Sequence, residues 1–286
     1  MSISSGKQVI PGPTVNSRLV SPRLCQEMML NVGVKFVDLR PIKSDSGSFH
    51  LPGAVRLDYA RLNRKAGFAE GMLPQMEQIS SLLQELGINP GDFVVAYDAN
   101  NGISATRFLW MLDVIGHTEH ALLDGGYGAW ESAGLPVVPV SEVPEHGVYP
   151  VEKFGNALAT KEFVLESINH PDRIIVDVRT FDEYTGDDER AIRGGRIPGS
   201  LHYEWISAFN QEEGRFRGSE KIESELLSGG ITRDKEIIVY CQSNRRSANT
   251  YIILKWLGYP RVRAYTGSWS EWGNDDSLPV ETGIPG

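Results

Sequence analysis

A cysteine, two arginines and two serines fall within the seven residues Cys241-Gln242-Ser243-Asn244-Arg245-Arg246-Ser247. The apolar run Ile237-Ile238-Val239-Tyr240 precedes this segment and reads as a buried strand. The segment Ala248 to Leu257 follows and reads as a helix. A thiol between a strand end and a helix start meets unpaired backbone N–H groups and the positive end of the helix dipole. Both favour thiolate over thiol, which makes Cys241 a candidate nucleophile. The N–H groups of Gln242 to Ser247 would form an anion nest around its sulfur. Arg245 and Arg246 would lower the pKa of the thiol and attract an anionic substrate. Ser247 is expected as a helix N-cap or as a brace for the loop.

The elements that position this loop occur twice. Val37-Asp38-Leu39-Arg40 matches Val176-Asp177-Val178-Arg179, and His50-Leu51-Pro52-Gly53-Ala54 matches Arg196-Ile197-Pro198-Gly199-Ser200. Phe93 to Tyr97 matches Glu236 to Tyr240, Gly125 to Trp130 matches Gly267 to Trp272, and Leu135-Pro136-Val137 matches Leu278-Pro279-Val280. Asp38 and Asp177 are 139 residues apart, and Tyr97 and Tyr240 are 143 apart. Five matches in one order, at a spacing far beyond that of solenoid repeats, indicate two copies of one domain, each with its own core. The expected boundaries are 17–138 and 156–282, joined by a Pro- and Glu-containing linker over 139–155. In each copy Val/Ile-rich strands alternate with helical segments, so the fold class is α/β, with a mainly parallel sheet flanked by helices in each domain. Gly87 and Gly116 are expected just past helix ends and Thr160 as an N-cap.

In open α/β sheets, ligands bind beyond the carboxyl ends of the strands, where Cys241 falls. Its counterpart in the first copy is Asp98, which cannot act as a sulfur nucleophile. The Asp177/Arg179 pair recurs as Asp38/Arg40 in the copy without a cysteine, so it is expected to support the loop by hydrogen bonding. Cys25, in Pro22-Arg23-Leu24-Cys25-Gln26, reads as a small buried hydrophobe. Trp205, Trp269 and Trp272 read as core or interface residues. Gly125-Gly126-Tyr127-Gly128 lacks the Lys-Ser/Thr ending of a nucleotide loop.

The paired Val-Asp-x-Arg and Pro-Gly segments and a loop of the form Cys-x-x-x-x-Arg-Ser resemble tandem-domain rhodaneses, over about Arg18 to Val280. The resemblance implies an inactive first domain and an active second domain, with the site near their interface. It implies a thiosulfate sulfurtransferase working through a Cys241 persulfide, with a small anionic sulfur donor and cyanide or a thiol as acceptor. A protein could also accept the sulfur. In the family the arginine ending the loop turns inward, a role that falls to Arg246 here and leaves Arg245 facing the donor. Some tandem members carry a substrate-binding arginine where this chain has Glu183, and often His where it has Arg196. The loop lacks the Gly-rich form of mercaptopyruvate sulfurtransferases, which stay as an alternative. Cysteine-dependent phosphatases use a similar cradle, one residue longer; the four residues between Cys241 and Arg246 suit a persulfide better. A sulfur-carrier or redox-sensing module is the non-enzymatic alternative.

The bulk properties agree with these expectations. A formal net charge of −9 argues against non-specific nucleic-acid binding. No apolar stretch approaches the ~20 residues of a membrane span. Met1 to Val20 has no apolar signal-peptide core, so the expected location is the cytoplasm. With two cysteines, Cys25 and Cys241, and scattered histidines, neither a structural disulfide nor a metal site is expected, and no cofactor beyond the cysteine persulfide. A compact monomer is the expected state.

Overall fold

The computed structural model describes residues 18–41, 49–140 and 144–284. The expected boundary at residue 17 and Glu142 of the expected linker lie outside these residues. The first copy runs through β1 (Leu19–Val20), α1 (Pro22–Met28), β2 (Val34–Asp38), β3 (Phe49–His50), β4 (Ala54–Arg56), β5 (Arg64–Ala66) and β6 (Ala69–Met72). It continues with α2 (Met76–Glu85), β7 (Phe93–Tyr97), α3 (Ile103–Val114), β8 (His120–Leu123), α4 (Gly126–Ser132) and β9 (Val138–Pro139). The second copy runs through β10 (Leu158–Ala159), α5 (Lys161–Leu165), β11 (Arg173–Asp177), α6 (Phe181–Thr185), β12 (Leu201–His202), β13 (Phe209–Asn210) and β14 (Arg215–Phe216). It ends with α7 (Ser219–Ser228), β15 (Glu236–Tyr240), α8 (Arg246–Trp256), β16 (Val262–Tyr265) and α9 (Ser268–Trp272).

The two main sheets have one topology. Their strand orders are β1-β8-β7-β2-β4 and β10-β16-β15-β11-β12, and every pairing within them is parallel. The central strands are apolar on both faces because helices cover both sides; Val94 to Tyr97 and Ile237 to Tyr240 are buried throughout. The repeat holds to the register, with Asp38 opposite Tyr97 and Asp177 opposite Tyr240.

The Asp–Arg pairs close each domain in the same way. Arg179 donates through Nε and Nη2 to the Asp177 carboxylate at 3.0 and 2.6 Å, and Nη2 also donates to the Gly195 carbonyl. Arg40 does the same to Asp38, then to the Phe49 carbonyl. The Tyr240 hydroxyl donates to Asp177 and accepts from the Ile197 N–H, so β11, β15 and the Pro-Gly segment are tied together. The Asp–Arg pair thus makes the same bonds in both copies.

Thr160 caps α5 by accepting from the Phe163 N–H, and Gly87 and Gly116 take positive φ (67° and 84°) just after α2 and α3. The segment after residue 143 lies along the first domain: Gly147 N–H donates to the Gln84 carbonyl and Val148 N–H to Asn89. Val138–Pro139, at the expected junction, forms strand β9 on β3.

The domains meet through α3 and α8, the helices that follow Asp98 and Cys241. One apolar cluster crosses the boundary, with Leu109 and Leu112 from α3 and Tyr251, Ile252 and Leu254 from α8. The Trp110 indole donates to the Ala157 carbonyl, fixing the start of the second domain on α3. Two hairpins reach across the boundary. The hairpin β5–β6 brings Gly71 against Ser243, where an added Cβ would sit 2.0 Å from the Ser243 carbonyl oxygen. The hairpin β13–β14 brings Arg215 against Gly125, and its Phe216 N–H donates to Asp124. Each domain thus covers the other's cradle.

Candidate active site

Cys241 leaves β15 and is 1% exposed. Helix α8 begins at Arg246, two residues before the sequence-based expectation, because Arg246 and Ser247 are wound into its first turn. Burial raises the pKa of the Cys241 thiol. The Arg246 charge, the Ser247 hydroxyl and the backbone N–H groups of Ser247 and Ser243 outweigh that penalty, so the thiol ends below its ordinary value. Cys25 supplies the contrast. Equally buried but without such partners, it is pushed up to about 12.

Ser247 does not cap α8. The N-cap residue is Arg245, whose side chain makes no capping bond. Ser247 lies inside the first turn, where its hydroxyl donates to Asn244 Oδ1 at 2.6 Å and to Cys241 Sγ at 3.5 Å. Its expected bracing position is therefore observed and its capping position is not. Asn244 takes a left-handed backbone (φ 55°), which turns the loop back towards the sulfur. Gln242 reaches outward, and its side-chain amide donates to the Arg190 carbonyl.

The two arginines part company. Arg246 donates from both terminal nitrogens to the Glu183 carboxylate at 2.6 and 2.8 Å. Glu183 is fully buried and closes a capping box with Thr180 at the start of α6. Burial would raise its pKa, but Arg246 and the cap lower it to about 2. Glu183 therefore fixes the arginine whose charge acts on Cys241. Arg245 does not face the Cys241 cradle as expected. It reaches into the first domain, donates to Ser104 Oγ at 2.8 Å and lies 4.4 Å over the Tyr59 ring. It lies there because α3, packed on α8, presents Ser104 to it.

Several residues around the loop were not singled out from the sequence. Ser268 Oγ accepts from the Cys241 and Asn244 N–H groups, while the Trp269 and Ser270 N–H groups donate to the Cys241 and Gln242 carbonyls. The repeated Gly-Ser-Trp segment is thus the second wall of the loop. Arg107, buried on α3, donates to the Gly71 carbonyl and holds the hairpin in place; burial lowers its pKa to about 10. Arg190 is half-exposed at the rim, with Nε 3.8 Å from Glu183. Trp269 and Trp272 are core, and Trp205 packs against the central cluster.

The first domain holds the same cradle with a different filling. The Asp98 carboxylate accepts from the backbone N–H groups of Asn100, Gly102, Ser104 and Ala105 at 2.7 to 3.0 Å. Asn100 and Ser104 stand two and six residues after Asp98; Ser243 and Ser247 stand two and six after Cys241. Asn101 repeats the left-handed turn of Asn244, with φ 53°. The position of Arg246 is taken by Ile103. Both loops are anion nests; one is closed by its own carboxylate and the other surrounds a thiol.

A parallel α/β repeat with a cysteine nest at one interdomain strand end defines a tandem-domain protein with one thiol-bearing cradle. The rhodanese-like domain model matches residues 21–133 and 160–275, and the chain belongs to the rhodanese family. It is 39% identical over 232 residues to a thiosulfate sulfurtransferase of Azotobacter vinelandii, covering 81% of this chain and 85% of that one. It is 33% identical over 285 residues to a sulfur carrier protein of Thermus thermophilus, covering 93% and 96%. A crystal structure of the anaerobic ergothioneine biosynthesis enzyme from Chlorobium limicola superposes with a TM-score of 0.82 at 26% identity, covering 94% of this chain and 71% of that one. These relatives support sulfurtransferase activity for the chain. Among the described residues, no helix is long and apolar enough to cross a membrane.

Proposed function

We propose that the chain is a thiosulfate sulfurtransferase whose sulfur passes through a persulfide on Cys241. The observation that carries this reading is the buried thiol held below its ordinary pKa by Arg246, Ser247 and two backbone N–H groups. The thiolate electron pair attacks the outer sulfur of thiosulfate. The thiosulfate S–S bond breaks, and its electron pair leaves with sulfite. The new S–S bond is the Cys241 persulfide, whose charge takes the place of the thiolate charge in the nest of Gln242 to Ser247. A thiol or cyanide then attacks the terminal sulfur, and the Cys241 thiolate is expelled. The scheme is a double displacement with ping-pong kinetics. Arg246 stabilises the charge near the sulfur, and Glu183 holds Arg246. Arg190 at the rim supplies the exposed cation that draws the anionic donor inward. Asp177 and Arg179 act behind the loop. No cofactor enters the scheme.

The test is mass spectrometry of the intact protein after thiosulfate, with 3-mercaptopyruvate in parallel. One added sulfur on the Cys241 peptide, absent from Cys241→Ser, is the expected result. No gain with either donor, or an equal gain in Cys241→Ser, refutes the mechanism. A gain with 3-mercaptopyruvate alone would replace the donor. The Thermus sulfur carrier relative favours a second reading, delivery of the persulfide to a protein. Single transfer to a partner without steady turnover on small acceptors would select it.

A further inference from the structure

The cradle of the first domain opens on a cavity of about 400 Å³ that is lined by three arginines, Arg40, Arg56 and Arg245, and by the apolar Leu39, Pro41 and Ala99. Arg40 is committed: it chelates Asp38 and lies 3.6 Å over the Tyr127 ring. Arg56 is not. Its side chain is 14% exposed, its nearest carboxylate oxygen is Asp38 Oδ2 at 3.6 Å, which Arg40 already holds, and its buried Nε has no hydrogen-bond partner. Arg245 makes its bond to Ser104, and its buried Nε is likewise without a partner. Asp98 serves neither of them, because its oxygens accept from four backbone N–H groups. Both side chains line one cavity, and neither guanidinium is held by a close carboxylate fork of the kind that holds Arg40.

We propose that this cavity is an anion site that takes a small sulfur oxyanion between Arg56 of the first domain and Arg245 of the Cys241 loop. Guanidinium forks match tetrahedral oxyanions, and the apolar walls suit a soft sulfur atom beside the oxygens. Arg245 precedes Arg246 at the start of α8, so an anion held here is tied to the loop that carries the nucleophile. The choice of a sulfur oxyanion rests on the sulfur-transfer reading; the anion site itself does not.

The test uses the full-length Cys241→Asp variant, in which a carboxylate fills the catalytic nest as Asp98 fills its own and no transfer can occur. Calorimetric titration with thiosulfate, sulfate and inorganic phosphate then reports the first-domain cavity. One saturable site per chain is expected, with thiosulfate bound more tightly than phosphate. Adding Arg56→Gln is expected to weaken binding tenfold or more. So is adding Ala99→Glu, a change at an exposed loop residue that leaves the fold intact and places a competing carboxylate at the cavity. No saturable binding, or unchanged affinity in either added variant, overturns the site. Tighter binding of phosphate overturns the sulfur oxyanion. If wild-type protein transfers no sulfur while the site still binds, the transfer reading fails and the anion site stands.

Discussion

Replacing Asp98 with alanine tests whether the first-domain cradle is a nest held shut by its own carboxylate. Four backbone N–H groups donate to Asp98, at 2.8, 2.9, 2.7 and 3.0 Å. Hydrogen bonds to a charged acceptor contribute about 1.5–3 kcal/mol each, which gives a gross effect of about 6–12 kcal/mol. The loss is smaller than that, because the adjoining cavity lets water reach the freed N–H groups. The bonds also share one acceptor and are not additive. A net destabilisation of about 2–4 kcal/mol is expected, at the upper end for single substitutions. Asp98→Asn keeps one acceptor oxygen and turns an NH2 group towards donors, so about half of that is expected. The assay is urea unfolding at pH 7 followed by tryptophan fluorescence, with Trp110 and Trp130 reporting the first domain. A loss below about 0.5 kcal/mol in Asp98→Ala, the range of an ordinary surface change, would refute the nest argument.

Asp98→Cys is expected to leave the rate of sulfur transfer unchanged, because Ile103 stands where Arg246 stands in the second domain; a doubled rate would contradict that role for Arg246. Glu183→Gln removes the charge from a buried ion pair, with side chains 0% and 16% exposed, while keeping its shape. A loss of about 1–2 kcal/mol at pH 7 is expected, less than for outright removal of a partner. The Glu183 carboxyl is depressed to about 2 in the folded chain. Its contribution is therefore complete above the unfolded value of about 4.3 and is lost as pH falls towards 2. Urea midpoints taken across that window should fall less steeply in Glu183→Gln, and parallel curves would speak against the pair. Gly71→Ala places a Cβ 2.0 Å from the Ser243 carbonyl, so the hairpin must shift. A cost of about 1–3 kcal/mol and slower transfer are expected, and wild-type values for both would deny close contact.

The features legible in the sequence are local or repeated. The strand, loop and helix around Cys241 are contiguous, and the domain pair shows in ordered landmarks that recur. The ion pair of Arg246 with Glu183 joins residues 63 apart and follows from the docking of α6 beside the loop. A hint was present, since Thr180 and Glu183 have the spacing of a capping box and place a carboxylate at the start of α6. Arg107 and Gly71 carried no such hint: their roles arise where a hairpin of one domain meets a loop of the other. The contact of Arg245 with the first domain is hidden for the same reason. Its neighbour across the boundary, Ser104, lies 141 residues away, and nothing within the loop foretells it.

The comparison of the two cradles separates what the fold supplies from what the chemistry adds. Both loops turn through an asparagine at the same position, and both offer N–H groups two and six residues after the residue that ends the strand. The nest is thus a property of the scaffold. A carboxylate in it is satisfied and inert. A thiol in it is driven towards thiolate, but only if burial is outweighed, and the backbone donors do not act alone there: the Arg246 charge is the largest of the lowering influences on Cys241. Arg246 in turn requires Glu183, because an unpaired guanidinium at that depth would be costly. In the proposed mechanism the nucleophile therefore needs Arg246 and Glu183 as well as the nest around Cys241. On that reading, the scaffold copy with Asp98 and Ile103 at the positions of Cys241 and Arg246 keeps its anion nest without a thiol to transfer sulfur.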